Sequence, residues 1–155
     1  QKKDIQKISR KVVLKHYQRV YCYTRKLIND LKKKKYFLIA LSGSPIEIVK
    51  AFNKYWPFDY YIGTVFESDK KGHYTGKVKL EPAKQKKELI LNLIKKHDFS
   101  LENSFGIGDT ESDIGFLDIV KKAIAFNPNA NLKKIAEMKN WKIIVERKDV
   151  IYEIN

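Results

Sequence analysis

Apolar residues recur at spacings of three and four from Asp4 to Lys35. Ile5, Ile8, Val12 and Val13 form one stripe, and Val20, Thr24, Leu27, Ile28 and Leu31 continue it. No Gly or Pro interrupts this stretch, so it reads as one long helix or two with a bend near His16–Arg19. The pattern then changes. Tyr36 to Ser42 is a continuous apolar run, typical of a strand buried on both faces. It stops at SGSP, and Pro45 to Tyr55 reads as a helix with Ile46, Val49 and Phe52 on one face. There Ser44 is a natural N-cap, Pro45 suits the first turn and Glu47 closes a capping box. Tyr60 to Phe66 alternates like a strand, and ESDKKGHYTGKV reads as a hairpin turning at Lys70–Gly72.

The second half repeats the alternation. Glu81 to Lys96 reads as a helix burying Leu89, Ile90, Leu93 and Ile94. Ser104 to Ile107 is a short strand entering GDTESD, and Ser112 to Val120 is helical. Ala123 to Phe126 is a strand, Asn131 to Met138 a helix, Lys142 to Val145 a last strand and Asp149 to Ile154 a closing helical turn. Strand and helix in alternation imply βαβ units and a parallel sheet covered on both faces. In such sheets ligands sit beyond the carboxyl ends of the strands. The loops SGSP and GDTESD both fall at that edge.

Composition narrows the class. The 155 residues suffice for one domain with its own core, and 43% apolar residues is too many for a disordered tail. No apolar run approaches the length of a membrane span, and none follows the basic start QKKDIQKISRK as in a secretory leader. One cysteine, Cys22, leaves no partner for an internal disulfide and no cysteine-rich zinc site. A cytoplasmic protein fits these features. The net charge of +14 raises the question of a nucleic-acid partner. Against it, only four of the 32 basic residues are arginine, and the lysines are spread along the whole chain. The dense run Lys32–Lys35 sits where a helix ends, and cations there suit the helix dipole. No base-stacking aromatic motif accompanies the charge.

The chemistry concentrates in three places. In GDTESD, Asp109 leaves a strand end and Asp113 lies four residues on, so both can face one pocket. Paired carboxylates in a sheet-edge crevice suit a hard divalent cation such as magnesium, and Gly108 lets the backbone come close. The same residues also read as a capping box with Thr110 as N-cap. In SGSP, Ser42 offers a hydroxyl and Gly43 an exposed amide beside a helix N-terminus, a ready anion site; a simple capped turn accounts for Ser44 as well. Third, Lys84, Lys86 and Lys87 cluster at the start of a helix, where one of them can offset the charge of a phosphate. His16, His73 and His97 show no metal-ligand spacing.

In this order – serine loop, lysine, paired aspartates – the sequence resembles the haloacid dehalogenase-like (HAD) superfamily, subfamily IB, and within it the phosphoserine-phosphatase-like branch. The resemblance runs from about Tyr21 to Val145. Ser42 in LSGSP matches the family's second motif, Asp109 and Asp113 match the fourth, and Lys86 fits the third best, with Leu89 and Ile90 three and four residues on. The resemblance implies an HAD-like Rossmannoid fold: a three-layer α/β/α parallel sheet with part of a helical cap at the N-terminus. Residues 1–35 would be the rest of the cap and its return helix, and residues 36–155 the core without its first strand. It further implies a magnesium-dependent phosphatase acting through an aspartyl-phosphate. Ser42, Gly43 and Lys86 would hold phosphate, Ser42 and Lys86 would take catalytic parts, Asp109 and Asp113 would hold Mg2+, and the substrate would be a small phosphorylated metabolite.

One departure stands out. The family's nucleophile is the first aspartate of a D-x-D motif, and this sequence has no D-x-D. Asp4 and Asp30 lie in helical, lysine-rich settings. The expectation is that the first strand and the early cap lie upstream of Gln1, so that the chain as given is inactive. Three alternatives carry different functions: an inactive phosphate- or partner-binding relative, a basic nucleic-acid-binding module, and phosphotransfer to an acceptor other than water. Neither the substrate nor the oligomeric state is legible in the sequence.

Overall fold

A computed structural model describes residues 1–147 and 150–154. The chain divides into two compact units, Gln1–Ala83 and Lys84–Asn155.

The first unit opens with α1 (Lys2–His16) and α2 (Cys22–Lys33), so the long amphipathic stretch is two helices broken where the polar run was expected to bend. The end of α1 is fastened by aromatic contacts. Tyr17 stacks on Tyr55 with ring centroids 4.2 Å apart, and Trp56 Nε1 donates to the Tyr17 carbonyl at 2.8 Å. The face of α1 differs from the expected stripe. Ser9 and Val13 are buried, α1 packs on α3, and Ile8 and Val12 remain exposed.

The strands of this unit are β1 (Ile39–Pro45), β2 (Tyr60–Ser68) and β3 (Tyr74–Leu80), with α3 (Ile46–Phe52) between the first two. The sheet order is β1-β2-β3. β1 pairs parallel to β2, and β2 and β3 form the expected antiparallel hairpin with Gly72 at φ +81° in its turn. Double burial of the apolar run is not found: Ile39, Ala40 and Leu41 are half-buried. Among the described residues β1 is hydrogen-bonded to a neighbour on one side, β2. Gly63 is demanded by packing, since a Cβ there would lie 2.8 Å from Ile46 Cα and 2.9 Å from the Ser44 carbonyl oxygen.

The expected capping box of α3 does not form. Its N-cap is Pro45, with no side-chain cap. Instead the Ser44 amide donates to Ser42 Oγ at 3.1 Å. The buried Glu47 accepts from the Tyr74 hydroxyl at 3.0 Å. A neutral donor from the hairpin thus satisfies a buried carboxylate that would otherwise be costly. Burial, reinforced by the Glu47 carboxylate, pushes the Tyr74 hydroxyl up to about 12.

The second unit holds α4 (Lys86–His97), β4 (Phe105–Gly108), α5 (Ile114–Leu117), β5 (Lys122–Phe126), α6 (Ala130–Met138), β6 (Lys142–Arg147) and β7 (Val150–Ile154). The helix expected from Glu81 begins later, after a 3-10 turn at Pro82–Lys84. The start of the helix expected from Ser112 is a second such turn, Glu111–Asp113, and α5 ends at Leu117. The sheet order is β4-β5-β6-β7, parallel through β6 and antiparallel at β7. The closing helical turn is therefore a strand from Val150 onward, and Asp149 lies outside the described residues. A short apolar run such as VIYEI fits either structure by pattern, and the open edge of β6 decides for pairing. Leu117, Leu132, Ala125 and Ala136 have no exposed surface and form the core with Ile143 and Ala123. Burying such leucines contributes on the order of 2 kcal/mol each, and it fixes the ends of β4 and β5, where the loops described next emerge.

Candidate functional site

The carboxylate loop begins where β4 ends. Gly108 is the last residue of the strand, and Asp113 folds back over it. A Cβ on Gly108 would lie 2.4 Å from Asp113 Cβ, so only glycine admits this approach. Asp113 is almost fully buried. Its Oδ2 accepts from the Asp109 amide at 2.9 Å and the Thr110 amide at 3.1 Å, which also completes a capping box with Thr110. Its Oδ1 accepts from Lys86 Nζ at 2.5 Å. Lys86 also donates to Ser112 Oγ at 3.1 Å, and Ser112 Oγ lies 2.9 Å from Thr110 Oγ1. Both members of the ion pair are buried, with side-chain exposures of 10% for Lys86 and 5% for Asp113.

Three of the residues singled out in the sequence therefore meet here. Of the three lysines at the start of the helix, Lys86 is the one seen to bond Ser112 and Asp113. Its position in the first turn of α4 aims it there. Asp113 commits both oxygens to the protein, so it shapes the loop and holds the lysine. Asp109 is different: its side chain is exposed. The protein packed beneath it still partly desolvates its carboxyl. This desolvation and the nearby Asp113 carboxylate raise its pKa, against the lowering pull of Lys86.

That direction has a consequence for stability. A carboxyl whose folded-state pKa is raised costs stability above that pKa, and the cost fades as pH falls through it toward the unfolded value. Asp109→Asn should therefore be more stable than the unsubstituted chain at neutral pH in chelator. The advantage should shrink on acidification toward the ordinary aspartate range. Thermal melts across pH check this; equal melting temperatures at neutral pH would refute it.

Asp109 is the carboxylate of this loop that could take an outside cation. Magnesium takes one or two carboxylates and fills its other positions with water and phosphate oxygens, which an exposed Asp109 over a braced loop fits. Among the described residues, no group of three or more His, Cys, Asp or Glu side chains is placed to hold a metal ion without such outside ligands.

Ser42 and Gly43 belong to the first unit, at the carboxyl end of β1. The ladder between β1 and β2 shifts register between Leu41 and Pro45, so the SGSP segment bulges from it. The bulge is held by Thr64, a buried residue of β2 whose Oγ1 donates to the Gly43 carbonyl at 2.7 Å. With the Ser44 amide given to Ser42 Oγ, the hydroxyl hydrogen of Ser42 stays available to donate. A Cβ on Gly43 would meet only Ala83, at 3.9 Å.

Sequence reasoning missed Thr64, Ser112, Thr110 as a donor, and Asn129. Ser112 and Thr110 sit inside GDTESD, so the motif itself was their signal. Asn129 donates its backbone amide to the Asp109 carbonyl at 2.9 Å and its side-chain amide to Glu111. This contact holds the Glu111 carboxyl below the usual range. Nothing in the local pattern marks Asn129 beyond its place as a helix cap.

The family model described as haloacid dehalogenase-like hydrolase matches residues 2–118. The chain belongs to this family. Among HAD-like relatives, the phosphoserine phosphatase of Archaeoglobus fulgidus is 26% identical over 115 residues, covering 73% of this chain and 33% of that protein. The chain thus spans about a third of the length of the curated relative it matches. The structure of a phospho-aspartyl intermediate analogue of phosphoserine phosphatase aligns with TM-score 0.67 and 21% identity over 96% of this chain and 73% of that one. Apo phosphoserine phosphatase aligns with TM-score 0.65 and 24% identity over 80% and 60%. A protein of unknown function from Bordetella pertussis Tohama I aligns with TM-score 0.66 and 18% identity over 76% and 55%. These likenesses give the HAD-like Rossmannoid α/β fold.

Proposed function

We propose that this chain is part of a Mg2+-dependent phosphomonoesterase of the phosphoserine-phosphatase-like branch. The observation that carries the reading is the Lys86–Asp113 pair, which braces a loop presenting the Asp109 carboxylate. Lys86 has three N–H donors; Ser112 and Asp113 take two, leaving one for a phosphoryl oxygen. Asp109 is the direct ligand for magnesium in this reading, and Asp113 sets the loop. A bound Mg2+ would offset the charge of phosphate and polarise its P–O bonds. On the first unit, the Ser42 hydroxyl and the Gly43 amide are assigned a phosphate-holding role. The attacking aspartate, which forms the aspartyl-phosphate, is assigned to a segment outside these 155 residues. The half-buried apolar edge of β1 supports a further strand beside it.

The substrate class is a small phosphorylated metabolite, with serine phosphate as the first candidate because the Archaeoglobus relative is named for it. Among the described residues no helix is long and apolar enough to cross a membrane, and a cytoplasmic setting is part of the proposal. A second reading is a phosphate-binding protein without turnover, favoured by the missing D-x-D.

One assay separates them. Phosphate release from phosphoserine and p-nitrophenyl phosphate with Mg2+ is measured for this chain and for a version extended upstream. Turnover is expected in the extended protein alone, falling by about 100-fold or more in Asp109→Asn, as for loss of a charge-stabilising group. Turnover by the 155-residue chain that disappears in Asp109→Asn would overturn the placing of the attacking aspartate in another segment, and turnover that survives Asp109→Asn would overturn the reading of Asp109. An inactive extended protein that still binds phosphate would favour the second.

A further inference from the structure

Asn129 sits where the loop after β5 enters α6, and it is tied in three directions. Its Oδ1 accepts from the Leu132 amide at 2.9 Å, capping α6, and Leu132 is fully buried. Its backbone amide donates to the Asp109 carbonyl at 2.9 Å. Its side-chain nitrogen donates to Glu111, two residues further along the carboxylate loop. The preceding Asn127 is fixed as well. Its amide donates to the Ile144 carbonyl at 2.8 Å, its Oδ1 accepts from the Glu146 amide at 2.9 Å, and its φ is +45°. The loop is thus anchored to β6 and to α6 before it reaches the carboxylates.

We infer that Asn129 and Glu111 form a clasp that positions the Asp109 carboxylate for its cation. The inference rests on the reading of Asp109 as the magnesium ligand. Asp113 holds the loop from inside, through the Asp109 and Thr110 amides. The clasp holds it from outside, through the Asp109 carbonyl and the Glu111 side chain. A ligand on a loop anchored on one side only must be ordered when the cation binds, and that ordering lowers affinity. Groups that orient a metal ligand without touching the metal are typically worth about 10–100-fold in affinity. Asn129 and Glu111 are therefore positioning residues.

The clasp separates cleanly from the helix cap. Asn129→Ser keeps a good capping oxygen and the same charge, but is too short to reach Glu111. Glu111→Ala removes the acceptor, and Glu111→Gln restores one without its charge. Mn2+ binding, followed by electron paramagnetic resonance as a probe for Mg2+, is measured beside amide hydrogen exchange at Asp109 and Thr110. Asn129→Ser and Glu111→Ala should each bind Mn2+ about 10-fold more weakly or worse, with faster exchange at both amides. Glu111→Gln should recover most of the affinity. Asn129→Ser matching the unsubstituted chain in both readouts, while Asp109→Asn loses Mn2+, overturns the clasp alone. Equal Mn2+ binding with and without Asp109 overturns the cation reading and the inference with it.

Discussion

Lys86→Met should be among the most damaging single substitutions in the second unit, costing about 3–5 kcal/mol of its stability. The methionine fills the space of the lysine stem but leaves the Asp113 carboxylate buried without its cation. Removing one member of a buried pair is far worse than replacing both, because the remaining charge keeps its desolvation cost. The amides of Asp109 and Thr110 still donate to Oδ2, so the loss should fall near the lower end of that range. Lys86→Met combined with Asp113→Asn should regain part of it: asparagine carries no charge and can still accept from the two amides. Urea unfolding of the three proteins tests this. A loss below about 1 kcal/mol, the level of an exposed pair, would show that the contact is not buried as described.

Gly108→Ala should be comparably severe by a different route. The added methyl would lie 2.4 Å from Asp113 Cβ and 2.6 Å from its Cγ, so the aspartate must move. Overpacking alone typically costs about 1–3 kcal/mol. Here the displaced side chain also carries the bonds to Lys86, Asp109 and Thr110. The expected result is a lower unfolding midpoint together with faster exchange at the Asp109 and Thr110 amides. A midpoint within experimental error of the unsubstituted chain would show that the strand end yields without disturbing Asp113. Alanine at Gly72 makes a useful contrast. No atom lies within 4 Å of a Cβ there, and only the positive φ opposes it.

The alternation of elements was legible where a buried stripe kept its period, as in Leu89, Ile90, Leu93 and Ile94; in α1 the stripe pointed to Ile8 and Val12, which are exposed. The carboxylate loop was legible for a local reason: Gly108, Asp109 and Asp113 lie within six residues, and the contacts among these three are made inside that span. The residues by themselves did not separate Lys86 from Lys84 and Lys87; the preference for it came from the family resemblance. What stayed hidden depended on distant partners. Glu47 reads as a capping residue by sequence, but its partner Tyr74 comes from a hairpin 27 positions on. Asn129 and Glu111 are 18 positions apart and meet only once β4 and β5 are paired. The fate of Val150–Ile154 depended on β6 having an open side, which no local pattern records.

That last strand bears on how molecules of this protein meet one another. β7 closes its sheet among the described residues and leaves Val150, Ile151 and Tyr152 about half exposed, at 44%, 46% and 53%. An uncovered apolar strand is a template for another chain. What opposes such contact is the net charge of +14, which keeps copies apart at a distance. Salt shortens that reach to about 10 Å at 0.1 M. The lysine excess, which says little about a ligand, thus acts as colloidal protection, and it is strongest in dilute buffer.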